Sequence, residues 1–547
     1  MTPDRQSIVN TLDRQSIVNT LDRQSIVREL DTNPLWDVLV IGGGATGLGA
    51  AVEAASRGLR TLLLERDDFA KGTSSRSTKL VHGGVRYLEQ FNFRLVLDAL
   101  KERGHMLRNA PHLVHRQTFV VPVYDYIGLP YYGIGLKLYE RLSGKLSLGR
   151  SEMLSRSETL AQLPTLLRTG LKGGVLYQDG QFDDARYAVS LMRTLFDLGG
   201  VALNHAGIVR LTYRDGKISG AVARDAETGQ EWEIRAKAVI NATGVFAEDI
   251  LAMDWNGAGS PAGTSPLLAI SQGTHFVLPP EYLPGTTALM VPKTSDGRVL
   301  FAIPWHGRLV VGTTDEPMPG SATEPRSTAP EREFLSDHIR KYLGRTVNRD
   351  DVLSVWSGLR PLAASGNAST SKLSRDHRIL VSRTGLVTVT GGKWTTYRRM
   401  GEDAINHASA VGGFKLGPSK TLDLHLHGWT GDAHITEAPS SRSVYGSDLP
   451  AIDAICADRP DLADLLHPRL PYIKAEVLWA ARFEMARTVE DVLARRTRSL
   501  FLDAGAALEA APVVATLLAD DLGRSPELRQ QDLLAFEAVA RGYVYEA

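Results

Sequence analysis

The chain has 547 residues, enough for roughly two to four domains with sizeable cores. Lys+Arg and Asp+Glu both number 62, so no net field favours nucleic acid or another polyanion. The single cysteine, Cys456, excludes a disulfide framework, a thiolate metal cluster and a dithiol redox pair, and no apolar run reaches the ~18 residues of a membrane span.

Residues 4–30 hold a tandem repeat, DRQSIVNTL twice and then DRQSIVREL. Nine residues advance a helix by about 900°, so successive Ile-Val-Leu groups fall on opposite faces and form no continuous stripe. The reading is a poorly ordered leader over 1–33, helical at most in its last copy and without a function. It lacks an apolar signal core, which points to the cytosol. Val38-Leu39-Val40-Ile41 then suits a strand buried on both faces. Gly42-x-Gly44-x-x-Gly47 follows, then Ala50, Ala51, Ala54 and Ala55 at helical spacing, then Thr61-Leu62-Leu63-Leu64 and Glu65.

Strand, glycine turn, helix, strand and acid make a dinucleotide-binding unit. Gly42 permits the tight turn, Gly44 lets a pyrophosphate approach the backbone, and Gly47 lets helix and strand pack closely. The helix N-terminus offers free N–H groups to phosphate. Glu65, about 20 residues on, is placed to accept a ribose hydroxyl. No Gly-Lys-Ser/Thr follows, which excludes a Walker A loop.

The next stretch runs Gly72-Thr73-Ser74-Ser75-Arg76-Ser77-Thr78-Lys79-Leu80-Val81-His82-Gly83-Gly84-Val85-Arg86-Tyr87-Leu88. Small hydroxylated residues beside glycines suit a backbone laid against a phosphate and a flat ring. The stretch closely resembles the FAD-dependent glycerol-3-phosphate dehydrogenases, which carry GTSS-x-x-S/T-K-L-I/V-H-G-G-x-R-Y-L here. The resemblance implies an α/β fold: an FAD-binding, Rossmann-like domain of the two-dinucleotide-fold type, a β-rich substrate-binding domain and a C-terminal all-α domain.

Residues 93–118 have helical leucine spacing up to Pro111, and 118–126 is strand-like. Residues 128–135 are rich in Gly, Pro and Tyr, and 133–145 make a surface helix of mixed apolar and basic character, read as packed rather than as a membrane foot. Asp179, Asp183 and Asp184 read as turn and capping acids, not as metal ligands; no metal is expected. A hairpin is predicted at Arg214-Asp215-Gly216-Lys217. Ala236 to Gly244 ends in Ala-Thr-Gly, a second close approach to the cofactor that favours FAD over NAD. Residues 268–315 are strand-rich and roof the substrate, and 317–330 form a loop. Val387 to Arg398 gives strand, Gly391-Gly392 turn and helix, matching the family's GGK-x-x-T-Y-R. A cap is expected over about 93–180 and 255–375, interleaved with an FAD-binding domain at 34–415. A linker is expected at 416–449 and a helical domain at 450–547, where Arg495, Arg496 and Arg498 read as a solvated basic cluster.

Oxidising a secondary alcohol with a flavin needs a base for the hydroxyl proton and a clamp for the rest of the substrate. Arginines suit a phosphate clamp because guanidinium binds phosphate bidentately. The resemblance places Arg86, Tyr87, Arg360, Arg375 and Thr396 around the substrate, with Arg360 and Arg375 on the phosphate and Arg86 and Lys393 nearer the reacting end. His275 is the candidate base and His82 its rival. The cofactor set is Gly42, Gly44, Gly47, Glu65, Thr73, Ser74, Ser75, Lys79, Leu80, His82, Gly244, Gly392 and Lys393. The family departures are Arg76, where small residues are common, and Gly244-Val245-Phe246 in place of Gly-Pro-Trp. The implied reaction is FAD-dependent oxidation of sn-glycerol 3-phosphate to dihydroxyacetone phosphate by hydride transfer to flavin N5. Electrons would pass to a membrane quinone from a homodimer held peripherally on the cytoplasmic face of the plasma membrane. The alternatives are an oxidase using oxygen and, more distantly, an amine or 2-hydroxy-acid oxidase.

Overall fold

The structure, a computed structural model, describes residues 21–84, 92–258, 267–294, 297–364, 376–431 and 441–545. Two sheets organise it. In the first, strands His377–Val381, Val387–Gly391, Glu231–Asn241, Leu35–Ile41, Thr61–Leu64 and Val201–Leu203 lie side by side in that order. Val40 sits level with Ile240 on one side and Leu63 on the other, and both pairings are parallel. Such strands are covered on both faces, which is why they read as unbroken apolar runs; Val38 to Val40 are fully buried. The helix Ala45–Ser56 crosses Tyr397–Gly412 so closely that a Cβ on Gly401 would lie 2.6 Å from the backbone of Gly49. The predicted hairpin joins Ala206–Arg214 to Lys217–Asp225, with Asp215 and Gly216 both at positive φ, as a tight hairpin turn requires.

The second sheet has ten strands and is mostly antiparallel. Its order is Glu316–Met318, Leu268–Leu278, Arg308–Gly312, Leu300–Trp305, Ala288–Val291, Val114–Val123, Gly173–Phe182 and Leu80–Val81. Ser354–Ala363 pairs along Leu268–Leu278, and Glu152–Ser155 along Gly173–Phe182. This sheet is the β-rich roof over the cofactor domain. The chain leaves it at Asp183, whose carboxylate accepts from Arg186 N at 3.1 Å and starts the helix Asp184–Asp197.

Four local readings change. The third copy of the N-terminal repeat is an ordered helix, Arg23–Asp31, capped by Asp22. It buries Ile26 and Leu30, and Arg23 reaches Asp225 at 2.9 Å; the first two copies lie outside the described residues. The surface helix begins at Gly128, not 133, because Asp125 accepts Gly128 N at 2.5 Å and Pro130 falls in the first turn, where its missing N–H removes no bond. The described parts of 416–449 are packed rather than linker-like: Leu426 and Tyr445 are buried, and Leu426 N donates to Asn109 O at 2.9 Å. Lastly, Arg495, Arg496 and Arg498 are not solvated. All three are buried, in a π-helical turn (Asp491–Arg496) and just after it, and they meet Asp68, Glu490, Asp491, Asp183 and Asp184. Of these counter-charges, local sequence offers only Glu490 and Asp491; the others come from the distant dinucleotide unit and the Asp183–Asp184 corner.

Helices Ala475–Phe483, Ala504–Leu522 and Pro526–Ala540 form the C-terminal region, and their apolar faces join the same core as the first sheet. Among the described residues no helix is long and apolar enough to cross a membrane.

Candidate active site

The glycine turn has the geometry its spacing implies. Gly42 has φ of 108°, and a Cβ on Gly47 would stand 1.9 Å from the Gly42 carbonyl oxygen, so the first helical turn can lie on the strand end only without side chains. Gly44 caps the helix Ala45–Ser56 with no side-chain bond, and no acid occupies the first turn. The N-terminal dipole is left for an anion. Ser74 reaches in from the next loop, its hydroxyl accepting Ala45 N at 2.9 Å. Glu65 accepts Gly43 N at 2.6 Å and Asp67 N at 2.8 Å, bracing the turn, while burial pushes its carboxyl pKa up against those bonds.

A cavity of about 530 Å³ runs from this turn between the two sheets. Its cofactor side carries Gly42, Gly44, Glu65, Thr73, Ser74, Gly244 and the Gly391-Gly392-Lys393 turn. Trp394 Nε1 donates to Ser74 O at 2.8 Å, tying that turn to the serine loop. The helix end free of acids, the glycines and small residues, and the volume of the cavity are a lining that an FAD would fit.

The roof supplies the polar groups. Strand alternation puts Ser271, Gly273 and His275 on one face, with Arg360, Gly358 and Trp356 directly across. Arg360 donates to Thr313 Oγ1 at 3.0 Å, Thr314 O at 3.1 Å and Ser271 Oγ at 3.2 Å, with Asp315 at 3.3 Å. His275 is 1% exposed, stacks on Trp356 with centroids 4.0 Å apart, and sets Nε2 3.0 Å from Thr78 Oγ1, while its Nδ1 has no hydrogen-bond partner among the described residues. Burial, then the charges of Lys79 and Arg360, hold its pKa well below 6.5, so the imidazole is neutral.

Of the residues expected from sequence, Gly42, Gly44, Glu65, Thr73, Ser74, Leu80, His82, Gly244, His275, Arg360, Gly392 and Lys393 all line this cavity. Arg86, Tyr87 and Arg375 lie outside the described residues. Three expected contacts turn elsewhere. Lys79 is fully buried, with Nζ on Asp184 at 2.8 Å and Ser75 O at 2.7 Å inside a cage of Trp305, Trp356 and Phe501. Burial pushes its pKa down to about 7 even with Asp184 in contact. Ser75 gives its carbonyl to Lys79 and Arg498. Thr396 bonds Lys393 O at 3.1 Å, and Thr395 is the threonine on the cavity wall. Sequence reasoning missed Arg298, Thr313, Phe301 and Asp179, which also line it. The available signal for the roof was a glycine inside each of two strand runs, Gln272-Gly273-Thr274 and Val311-Gly312-Thr313.

The fold and cavity define an FAD-dependent oxidoreductase, and residues 37–398 match the family described as FAD dependent oxidoreductase. Residues 383–529 match the C-terminal domain of alpha-glycerophosphate oxidase. The chain is 41% identical over 527 residues to a probable mitochondrial glycerol-3-phosphate dehydrogenase of Caenorhabditis elegans, covering 91% of this chain and 72% of that protein. It is 39% identical over 543 residues to the mitochondrial glycerol-3-phosphate dehydrogenase of Homo sapiens, covering 93% and 73%. The solved glycerol-3-phosphate dehydrogenase of Bacillus halodurans, complexed with FAD, superposes with a TM-score of 0.77 at 28% identity over 97% of this chain and 100% of that one. The chain belongs to the FAD-dependent glycerol-3-phosphate dehydrogenase family.

Proposed function

We propose that this protein oxidises sn-glycerol 3-phosphate to dihydroxyacetone phosphate and passes the electrons to a membrane quinone. The observation that carries the reading is a guanidinium and a neutral imidazole on the wall of a cavity that also carries a glycine-rich dinucleotide turn with no acid in its first helical turn. FAD, when bound, supplies the acceptor for the carbinol hydrogen and its electron pair. Arg360 holds the phosphate, joined by Arg375, while Arg86 and Lys393 act nearer the reacting carbon and Tyr87 flanks the substrate. His275 takes the hydroxyl proton as the carbonyl forms, and a bound phosphate dianion beside Arg360 offsets the positive charge that depresses its basicity. His275→Ala is expected to lower turnover far more than flavin content; near-normal turnover in that variant would remove His275 from the reaction.

The protein would work as a homodimer, held peripherally on the cytoplasmic face of the plasma membrane. The match to the C-terminal domain of alpha-glycerophosphate oxidase supports a second reading, with oxygen as acceptor. Anaerobic spectroscopy decides between them. Bleaching of the flavin by sn-glycerol 3-phosphate, fast reoxidation by a quinone analogue and slow reoxidation in air support the dehydrogenase. Fast reoxidation in air with peroxide makes it an oxidase, and the absence of bleaching refutes the substrate.

A further inference from the structure

The helix Arg23–Asp31, the third copy of the N-terminal repeat, is docked on the cofactor domain by side chains that the second copy also carries. It lies against strands Glu231–Asn241 and Val201–Leu203. Arg23 donates to Asn204 O at 2.8 Å and to Asp225 at 2.9 Å, while Asp31 accepts from Gln230 at 2.7 Å and from Trp232 Nε1 at 2.9 Å. Asp22 accepts Gln24 N at 3.2 Å and Ser25 N at 3.1 Å and so caps the helix. Leu21, Ile26 and Leu30 are buried in one core, with Leu21 and Ile26 at the two positions of a hydrophobic staple, which fixes the angle at which a chain enters a helix.

These side chains recur nine residues earlier as Leu12, Asp13, Arg14, Ile17, Leu21 and Asp22. The second copy differs from the third only in Asn19 and Thr20, which stand where the third has Arg28 and Glu29. Arg28 is exposed, and Glu29 makes a surface pair with Arg60 at 2.9 Å in which both partners are more than a third exposed. Such a pair contributes little. The first copy is preceded by Pro3 instead of leucine and lacks the staple.

The site takes one copy at a time. Nine residues turn a helix through about 900°, so adjacent copies in one helix face opposite ways. Leu21 and Asp22 belong to both registers, since they open the third copy and close the second. With the second copy seated, residues 23–34 would join it to Leu35, in place of 32–34. A connection about four times longer lowers occupancy by about eightfold, and loss of the Glu29–Arg60 pair lowers it by up to about fivefold more. The third copy therefore holds the site in wild type, and the second competes for it at roughly a tenth of that occupancy or less.

We propose that this surface of the cofactor domain is a docking site for the repeat itself, and that the second copy, residues 13–22, is its alternative occupant, reached by a slip of nine residues. The tandem repeat supplies one site with two interchangeable ligands on the same chain, so the site stays filled when the third copy is lost.

The test uses the FAD-loaded full chain, its melting temperature, and hydrogen exchange read by mass spectrometry. Arg23→Glu with Ile26→Asp disables the third copy, Arg14→Glu with Ile17→Asp disables the second, and the fourfold variant disables both. Peptides that begin in the second copy and run past residue 26 distinguish it from the first, which has the same sequence. In the third-copy variant, amide protection is expected to move from residues 25–31 to 16–22, slowing exchange there at least ~10-fold relative to wild type. The second-copy variant should melt with wild type. The fourfold variant should lose protection in both copies and melt at least ~2 °C below the third-copy variant. Bound flavin and turnover stay at the wild-type level, since none of these residues lines the cavity. The proposal is overturned if the fourfold and third-copy variants melt together, or if residues 16–22 exchange in the third-copy variant as they do in wild type.

Discussion

Asp68→Asn is the sharpest test of how the C-terminal helices are fastened to the cofactor domain. Asp68 is fully buried and accepts from both terminal nitrogens of Arg496 at 2.7 and 2.9 Å, from Arg495 Nε at 2.5 Å and from Asn204 at 3.0 Å. Arg495 keeps Glu490 and Asp491 when Asp68 loses its charge, but the nearest other carboxylate to Arg496 is Glu484 at 3.9 Å. Breaking one side of a buried ion pair costs about 3–5 kcal/mol, because the surviving charge stays desolvated. In a domain of 150–250 residues each ~1 kcal/mol moves the melting temperature about 2–4 °C, so a fall of roughly 6 °C or more is expected. The loop bearing Asp68 also contributes Glu65, Arg66 and Lys71 to the cavity wall, so flavin release should accompany the shift. Melting followed by flavin fluorescence reads both effects. The discriminating control is Asp68→Leu combined with Arg496→Met: removing both charges leaves no unpaired ion, and the double variant should be more stable than Asp68→Asn. A melting temperature within about a degree of wild type for Asp68→Asn, or a double variant worse than the sum of its single changes, would refute the reasoning.

Arg360→Ala should reduce kcat/KM for sn-glycerol 3-phosphate by about 100-fold with bound FAD intact, because a desolvated anion loses its guanidinium; unchanged kcat/KM in steady-state assays would place the phosphate elsewhere. Gly47→Ala should purify without yellow colour, since its Cβ would fall 1.9 Å from the Gly42 carbonyl and nothing flexible lies there to yield. His205 gives a pH-dependent effect. Burial alone would push its pKa down, but Asp491 at 2.9 Å raises it above 6.5. A group raised in the folded state adds stability that is complete below its unfolded value and is lost as pH rises through the folded one. The melting deficit of His205→Ala should therefore be largest in mild acid and shrink towards alkaline pH; a deficit that grows with pH would contradict the pairing.

The glycine turn was legible because all its parts lie within thirty residues of one another: two apolar runs, three spaced glycines and an acid. What sequence could not show is which residues meet across the sheets. Arg360 stands beside Ser271, and His275 beside Trp356, through a register between strands some 85 residues apart. Lys79 sits in a motif of small polar residues and reads locally as a cofactor contact, yet Asp184 and the aromatic cage that hold it come from four later parts of the chain. Arg495, Arg496 and Arg498 fail for the same reason, since a run of like charge reads as solvated unless the counter-charges are visible. The repeated leader differs: its period forbids one continuous stripe through all three copies but not a packed helix in the last copy, and that copy, Arg23–Asp31, anchors through Arg23 to Asp225.

The arginines separate the roof, proposed as the substrate site, from the buried structural joints. Arg186 with Glu484, Arg398 with Glu102 and Arg496 with Asp68 are buried two-pronged pairs, each with two N–O distances between 2.6 and 2.9 Å. Such a pair cannot release its guanidinium without leaving a carboxylate desolvated, so a phosphate does not displace it. Arg360 is held by two hydroxyls, a carbonyl and a single-pronged 3.3 Å ion pair to Asp315 rather than by a two-pronged carboxylate, so its hydroxyl and carbonyl bonds can be exchanged for phosphate oxygens with less loss than in those pairs. The strands also make room at this place. A Cβ on Gly273 would lie 2.1 Å from Arg360 Nη2, and one on Gly312 would lie 2.1 Å from His275 Cδ2. Glycine inside a strand weakens it, by roughly 0.5–1 kcal/mol relative to alanine. Two such positions, each beside one of the two groups proposed for the reaction, give up sheet stability to seat a guanidinium and an imidazole on the cavity wall.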